Sequence, residues 1–334
     1  MSLSKKEMMA EIVRCGKDPA FFCKKYAKIS HPMRGSIPFD LYDFQETALK
    51  DFKDNRFSVI LKARQLGIST TVAAYVCWMM LFHKDKNVLV VATKLGTAAN
   101  LVKKIKAIHK NLPPWLKISD ISIDNRNSFE LSNGSQVKAS STSGDAGRSE
   151  ALSLLVIDEA AFVDGIDELW AGLYPTLSTG GRCIALSTPN GVGNWFHKTY
   201  TEAEEDKNDF HTIKLPWDVH PERDQEWFAK ETRNMSRREI AQELQCNFNA
   251  SGDTVVHGDD LKRILEQVYE PDRKTGFDRN YWIWKEPDPH REYLLVADVA
   301  RGDGTDFSVA HIFDVQTMEQ VAEYQGKVTP DMFA

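Results

Sequence analysis

The sequence predicts an α/β fold with a mainly parallel central sheet, followed by the opening strands of a second unit. Three observations carry this. From residue 44 onward, short β-rich runs alternate with helical patterns. Two runs, LSLLVIDEA at 152–160 and RCIALSTP at 182–189, are continuously apolar, as expected of strands covered on both faces of a parallel sheet. No repeat period or low-complexity stretch points to a solenoid or a long linker.

Each element follows from its residues. Residues 1–40 read as an N-terminal helical segment. SVILKA at 58–63 is a strand, Ser69 to Phe82 a helix, and NVLVVAT at 87–93 the next strand, the rhythm of βαβ units. Leu101, Ile105, Ile108 and Leu112 share one face, so 97–111 is an amphipathic helix that Pro113 and Pro114 terminate. FELSNGSQVKAS carries a tight hairpin at Asn133-Gly134, which interrupts the βα rhythm. Helical patterns at 225–234 and 236–246 are charged and poor in apolar residues, and SGDTVVHGDD at 251–260 breaks the pattern. A domain over 41–250, a connector over 251–290 and a second domain starting at 291–334 are therefore expected. The last segment supplies three strands, with turns at Gly302-Asp303-Gly304 and Gln316-Thr317.

Composition narrows the functional classes. With 334 residues, 42% hydrophobic and 27% charged, the chain is globular rather than disordered. Its longest apolar run, Val72 to Phe82, falls short of the roughly 20 residues a membrane-spanning helix needs, and its first residues lack the pattern of an export signal. Five cysteines without a CxxC pair are expected to be reduced thiols, not a zinc site, and the nine histidines show no metal-ligand spacing. A net charge of −6 confines any nucleic-acid contact to local strips. Lys103, Lys104, Lys106 and Lys110 form one such strip, as do Arg233, Arg237 and Arg238, although a solvated helix face explains each equally.

Chemistry concentrates at a strand-to-helix turn. Residues 62–69, K-A-R-Q-L-G-I-S, align with the phosphate-cradling pattern GxxxxGK[ST] at Gly67 and Ser69. Lys62 stands at the first glycine and Ile68 at the usual lysine. A strand before and a helix after supply free N-terminal amides for an anion. Lys62 and Arg64 are the candidate cations; an ordinary turn is the alternative. Downstream, the strand LLVID delivers Asp158 and Glu159 at its carboxyl end, where ligands of open α/β sheets bind. Asp158 with the Ser69 hydroxyl would hold Mg²⁺, and Glu159 would deprotonate an attacking water. The competing reading is that Asp158 caps a helix beginning at Ala160. Gln45 suits the edge of an adenine and Phe44 its face, or both belong to a surface helix. Ser187 and Thr188, before Pro189, sense a γ-phosphate or form a strand-ending turn.

LYDFQ, KARQLGIST, LLVIDEAAFV and ALSTPNG, in this order and spacing, resemble the large terminase subunit of tailed bacteriophages, especially the contractile-tailed type. The resemblance runs from about residue 17 to 327. It implies a P-loop ATPase motor that drives double-stranded DNA into a prohead, followed by an RNase H-like nuclease. By position it makes Gln45 the adenine-recognising glutamine and 62–70 (Lys62, Ala63, Arg64, Gln65, Leu66, Gly67, Ile68, Ser69, Thr70) a deviant Walker A with its lysine shifted to Lys62. Arg64 becomes a γ-phosphate arginine, Asp158 and Glu159 the Walker B pair, and Ser187-Thr188-Pro189 the coupling motif. Arg148, in DAGRS, resembles a loop arginine that would reach a neighbouring subunit's ATP. Asp298 and Asp306 match a DxAxGxGxD stretch of the nuclease, whose other carboxylates lie beyond residue 334, so the metal site is expected to be incomplete. The implied cofactors are ATP and Mg²⁺. The implied partners are phage DNA, the portal protein, the small terminase subunit and, on the portal, further copies of the chain in a ring, with a monomer in solution. The implied place is the cytoplasm of the infected bacterium. Two rivals remain at this level: a helicase-type DNA-stimulated ATPase, and a non-hydrolysing assembly module.

Overall fold

The computed structural model describes residues 3–31, 33–140, 151–251, 263–264, 267–301 and 306–333. The chain forms two units, Met1–Asp259 and Asp260–Ala334. The first holds an eight-stranded sheet. Its parallel part comprises β3 (Phe57–Lys62), β4 (Asn87–Ala92), β7 (Gln136–Ser140), β8 (Leu154–Asp158), β9 (Arg182–Ser187) and β10 (Phe210–Leu215). Their spatial order is β10-β3-β9-β8-β4-β7, and β6 (Ser128–Leu131) and β5 (Ile121–Asn125) extend the β7 edge antiparallel. The Asn133-Gly134 hairpin is therefore part of the main sheet, and β5 adds a strand that the sequence pattern did not reveal.

Burial explains the order. β3, β9, β8 and β4 take interior positions and are almost wholly buried, every residue of β3 and β8 among them. Helix α4 (Ile68–Phe82) is buried on nearly all sides, because helices also cover its outer face. Those covering helices are α1 (Lys5–Lys17), α2 (Pro19–Tyr26) and α3 (Asp43–Asp54), and between α2 and α3 the short β1 (Lys28–His31) and β2 (Gly35–Pro38) pair antiparallel. The Trp78 indole donates to the Cys15 carbonyl at 2.7 Å, and Phe22 meets Phe82 edge-on at 5.5 Å. The N-terminal segment thus shares the core, with Cys15, Phe22, Cys23 and Ala27 fully buried in it. Helix α5 (Leu95–Asn111) buries Leu101, Ile105 and Ile108, as their spacing predicts. Beyond β8 the chain continues through α6 (Ile166–Leu173), α7 (Trp195–Glu204), α8 (Gln225–Glu231) and α9 (Arg237–Glu243). No helix among the described residues is long and apolar enough to cross a membrane.

The second unit is a five-stranded antiparallel sheet of order β11-β12-β15-β14-β13. Its strands are β11 (Arg273–Thr275), β12 (Tyr281–Ile283), β13 (Tyr293–Asp298), β14 (Ser308–Asp314) and β15 (Gln320–Gly326). The stretch expected to be a connector therefore contributes two strands. β11 and β12 are only three residues each, too short for their periodicity to register in the sequence.

Candidate functional site

The carboxyl ends of β3, β9 and β8 stand level: Leu61 pairs with Ser187, and Asp158 with Leu186. Residues remote in sequence meet here because β9 lies between the other two strands. The loop after β3 is bent by two left-handed residues, Gln65 at φ 57° and Gly67 at φ 75°. A Cβ on Gly67 would stand 2.7 Å from the Gln45 amide nitrogen, so glycine is required by space as well as by φ. No side chain caps the first turn of α4, which leaves amides at the helix N-terminus for an anion.

Two pairs close the site from the other side. Lys62 Nζ lies 3.2 Å from Glu159 Oε1, and Ser69 Oγ lies 3.4 Å from Asp158 Oδ1. Adjacent strand residues normally point to opposite faces. Here Glu159 adopts the left-handed region at φ 54° and ψ 45°, which swings its carboxylate to the same side as that of Asp158. Burial, and then the neighbouring Glu159, raise the Asp158 carboxyl above its ordinary range, and Lys62 and Lys104 oppose the rise. Asp158 and Ser69 offer hard oxygen donors suited to a divalent cation such as Mg²⁺, which would relieve this cost. Asp158 does not cap the turn at Ala160–Phe162, which has no side-chain cap from its own N-terminus. Ser187 does part of that work: its Oγ accepts from Ala161 N at 3.1 Å, while Asn190 donates to the Ala161 carbonyl at 3.1 Å. Thr188 is buried beside it in sequence.

Other expected residues are placed differently. Gln45 is only 3% exposed; its amide donates to the Leu66 carbonyl at 2.9 Å and accepts from Tyr42 N at 3.2 Å. It braces the loop through one N–H and its carbonyl oxygen. Phe44 stacks with Tyr42 at 5.7 Å, and His220 lies 4.4 Å from the Tyr42 ring, so the aromatic surface is a cluster of three. Ala63, Leu66 and Ile68 are buried in the core, which leaves only their backbones for a ligand, whereas Arg64 and Gln65 are exposed and Thr70 is half-buried. A lysine at the Ile68 position would have to sit in the core, whereas the Lys62 ammonium stands at the site beside Glu159.

The segment from Trp217 to Leu244 grips the loop in a way the sequence did not signal. Arg223 donates to the carbonyls of Arg64 at 3.2 Å and Gln65 at 3.0 Å, and Arg64 Nε lies 2.6 Å from Glu243 Oε2. Lys104 keeps contact with solvent, yet the surrounding protein lowers its pKa while Asp158 raises it, which places it within electrostatic reach of the site. Lys106 instead pairs with Asp124 at 2.7 Å, and Arg238 donates to the Ser251 carbonyl at 3.2 Å. Arg148 lies outside the described residues. In the second unit, Asp298 ends β13 and Asp306 precedes β14, both exposed.

Residues 59–263 match the family described as terminase large subunit, T4likevirus-type, N-terminal. Among solved structures, a mutant form of the large-terminase ATPase domain of Thermus phage P74-26 is 19% identical, with a TM-score of 0.51 over 63% of this chain and 95% of that one. The large terminase of a thermophilic bacteriophage is 12% identical, with a TM-score of 0.51 over 81% of this chain. The HK97 bacteriophage large terminase is 16% identical, with a TM-score of 0.50 over 90% of this chain. The chain spans 64% of the length of each of the last two. At these identities the likeness establishes the fold, that of the terminase ATPase domain.

Proposed function

The chain belongs to the T4-like family of terminase large subunits, and from that premise we propose that its first unit is a Mg²⁺-dependent ATPase motor that translocates double-stranded phage DNA into a prohead. The observation that carries this is the convergence of Lys62, Ser69, Asp158 and Glu159 around one loop. The amides at the start of α4 and the Lys62 ammonium would bind the β- and γ-phosphates. Ser69 and Asp158 would hold Mg²⁺, which supplies charge neutralisation on the phosphate oxygens when bound. Glu159, 33% exposed in its side chain, would accept the proton of the attacking water at a carboxylate oxygen. Arg64 would stabilise charge developing on the γ-phosphoryl group, and Arg148 would do the same for a neighbouring copy. The base would pack against the Tyr42, Phe44 and His220 cluster.

Ser187 and Asn190 hold the turn that follows Glu159 through both polar groups of Ala161. Changes at the γ-phosphate would pass along this route from β8 to β9, which is the coupling role proposed for Ser187 and Thr188. The portal protein, the small subunit and a ring of copies on the prohead complete the reading, in the cytoplasm of the infected host. The second unit would be the start of an RNase H-like nuclease, with Asp298 and Asp306 as part of its metal site. Purified chain should release phosphate from ATP with Mg²⁺, faster with double-stranded DNA. Tight ATP binding without turnover would instead support an assembly module.

A further inference from the structure

Arg64 is the most exposed of the charged groups at the loop, with a side chain 67% accessible, and a long cation in that setting ordinarily samples many rotamers. One residue restrains it. Glu243, at the last position of α9, accepts from the Arg64 backbone N–H through its carbonyl at 2.8 Å and meets the Arg64 Nε through its carboxylate at 2.6 Å. The carboxylate contact is an ion pair, since Glu243 Oε2 is buried without a hydrogen-bond partner, and no other ion pair and no hydrogen bond of this guanidinium is present among the described residues, so its two terminal nitrogens stay free as a fork.

The placement of Glu243 is costly in itself. A carboxylate at a helix C-terminus opposes the helix dipole, and this one is only 16% exposed. Burial raises its carboxyl above the ordinary range, Arg64 opposes that, and Glu159 adds to it. The support behind it is stiff: Leu244 N bonds back to Ile240 O at 3.0 Å, Leu244 O accepts from Trp217 N at 3.0 Å, and Trp217 stacks on Phe228 at 4.6 Å.

We propose that Glu243 is the positioning residue for Arg64, fixing the guanidinium through Nε so that its terminal nitrogens meet the γ-phosphoryl oxygens. This rests on the loop being the ATP site. Positioning of this kind lowers the entropy lost on reaching the transition state, and it makes Glu243 act only through Arg64.

The test is a cycle of Arg64→Ala, Glu243→Gln and the double variant, with Glu243→Gln chosen as nearly isosteric so that α9 still folds. Glu243→Gln should lower kcat about tenfold, weaken a non-hydrolysable ATP analogue and leave ADP affinity unchanged, since ADP lacks the γ-phosphate. In the Arg64→Ala background, Glu243→Gln should have no further effect. Additive losses, or an equal loss of ADP affinity, would overturn the proposal and leave Glu243 a scaffold for α9. Should the wild-type chain not turn over ATP, the proposed function fails, and the ratio of analogue to ADP affinity still decides the role of Glu243.

Discussion

Lys62 and Glu159, 97 positions apart in the chain, form an ion pair with Nζ 3.2 Å from Oε1, the lysine side chain 7% exposed and the glutamate 33%. One residue of this pair is suited to bind phosphate and the other to activate water, so the two should separate experimentally. Glu159→Gln should retain nucleotide and lose about 10²- to 10⁴-fold in kcat, the usual worth of a general base. Lys62→Ala should weaken nucleotide binding itself. Phosphate release and fluorescent-nucleotide titration check both; equal loss of affinity in the two variants would contradict this division.

Asp158 carries a stability penalty that function would explain. Because its carboxyl titrates above the ordinary value in the folded protein, the folded chain keeps that proton to higher pH than the unfolded chain does. The favourable contribution is therefore complete below the unfolded value and is lost as pH rises through the folded one. Asp158→Asn, which preserves an acceptor for Ser69, should be more stable at pH 7 by on the order of 1 kcal/mol, a rise of about 2–4 °C in Tm. The gain should shrink as pH is lowered, and turnover should be lost. A gain independent of pH, read by thermal melts across pH, would point to a cause other than ionisation.

Gln45 spends its amide on Leu66 and Tyr42. Gln45→Ala should therefore weaken ATP and GTP by similar factors, because it loosens the loop for any triphosphate. If competition titrations show ATP affinity falling alone, the glutamine reads the base directly.

Arg182, at the start of β9, donates through Nη1 to the carbonyls of Phe52 at 3.1 Å, Lys53 at 2.9 Å and Asn55 at 2.8 Å, closing the end of α3. Arg182→Met keeps the apolar stem and removes the charged donor whose two hydrogens these three carbonyls share. A loss of about 2–3 kcal/mol and a Tm lower by roughly 5–10 °C are expected. Since Arg182 and Ser187 lie at opposite ends of the strand, kcat below the melt should hold.

All five cysteines are free and buried, and burial pushes the thiols of Cys15, Cys77 and Cys246 up to about 12. Native chain at pH 8 should react with a thiol reagent only slowly, and denatured chain should titrate all five. A thiol that reacts rapidly in the native chain would contradict the burial described.

What could be read directly was local. The strand–loop–helix around Lys62 to Ser69 and the strand ending in Asp158 and Glu159 are each written within a few residues, because apolar runs, a left-handed glycine and a helix start are short-range physics. The same holds for α5, whose apolar spacing marked its face and whose following Pro113 and Pro114 marked its end. Short or uncovered elements were not legible: β11 and β12 have too few residues for a period, β5 is exposed throughout and has no buried face, and only pairing with neighbours makes them strands.

The sequence by itself therefore determined the parallel α/β class, the strand–loop–helix from Phe57 to Phe82 and the place of Asp158 and Glu159 at a strand end. Tertiary structure alone decided that β9 separates β3 from β8, so that Ser187 stands between the loop and the acids. It also decided that Gln45 props the loop, and that Arg223 and Glu243 grip it from 159 and 179 residues away. Such contacts have no sequence period to betray them, because they are made by chain segments that meet only after the sheet has assembled and brought their ends to one edge.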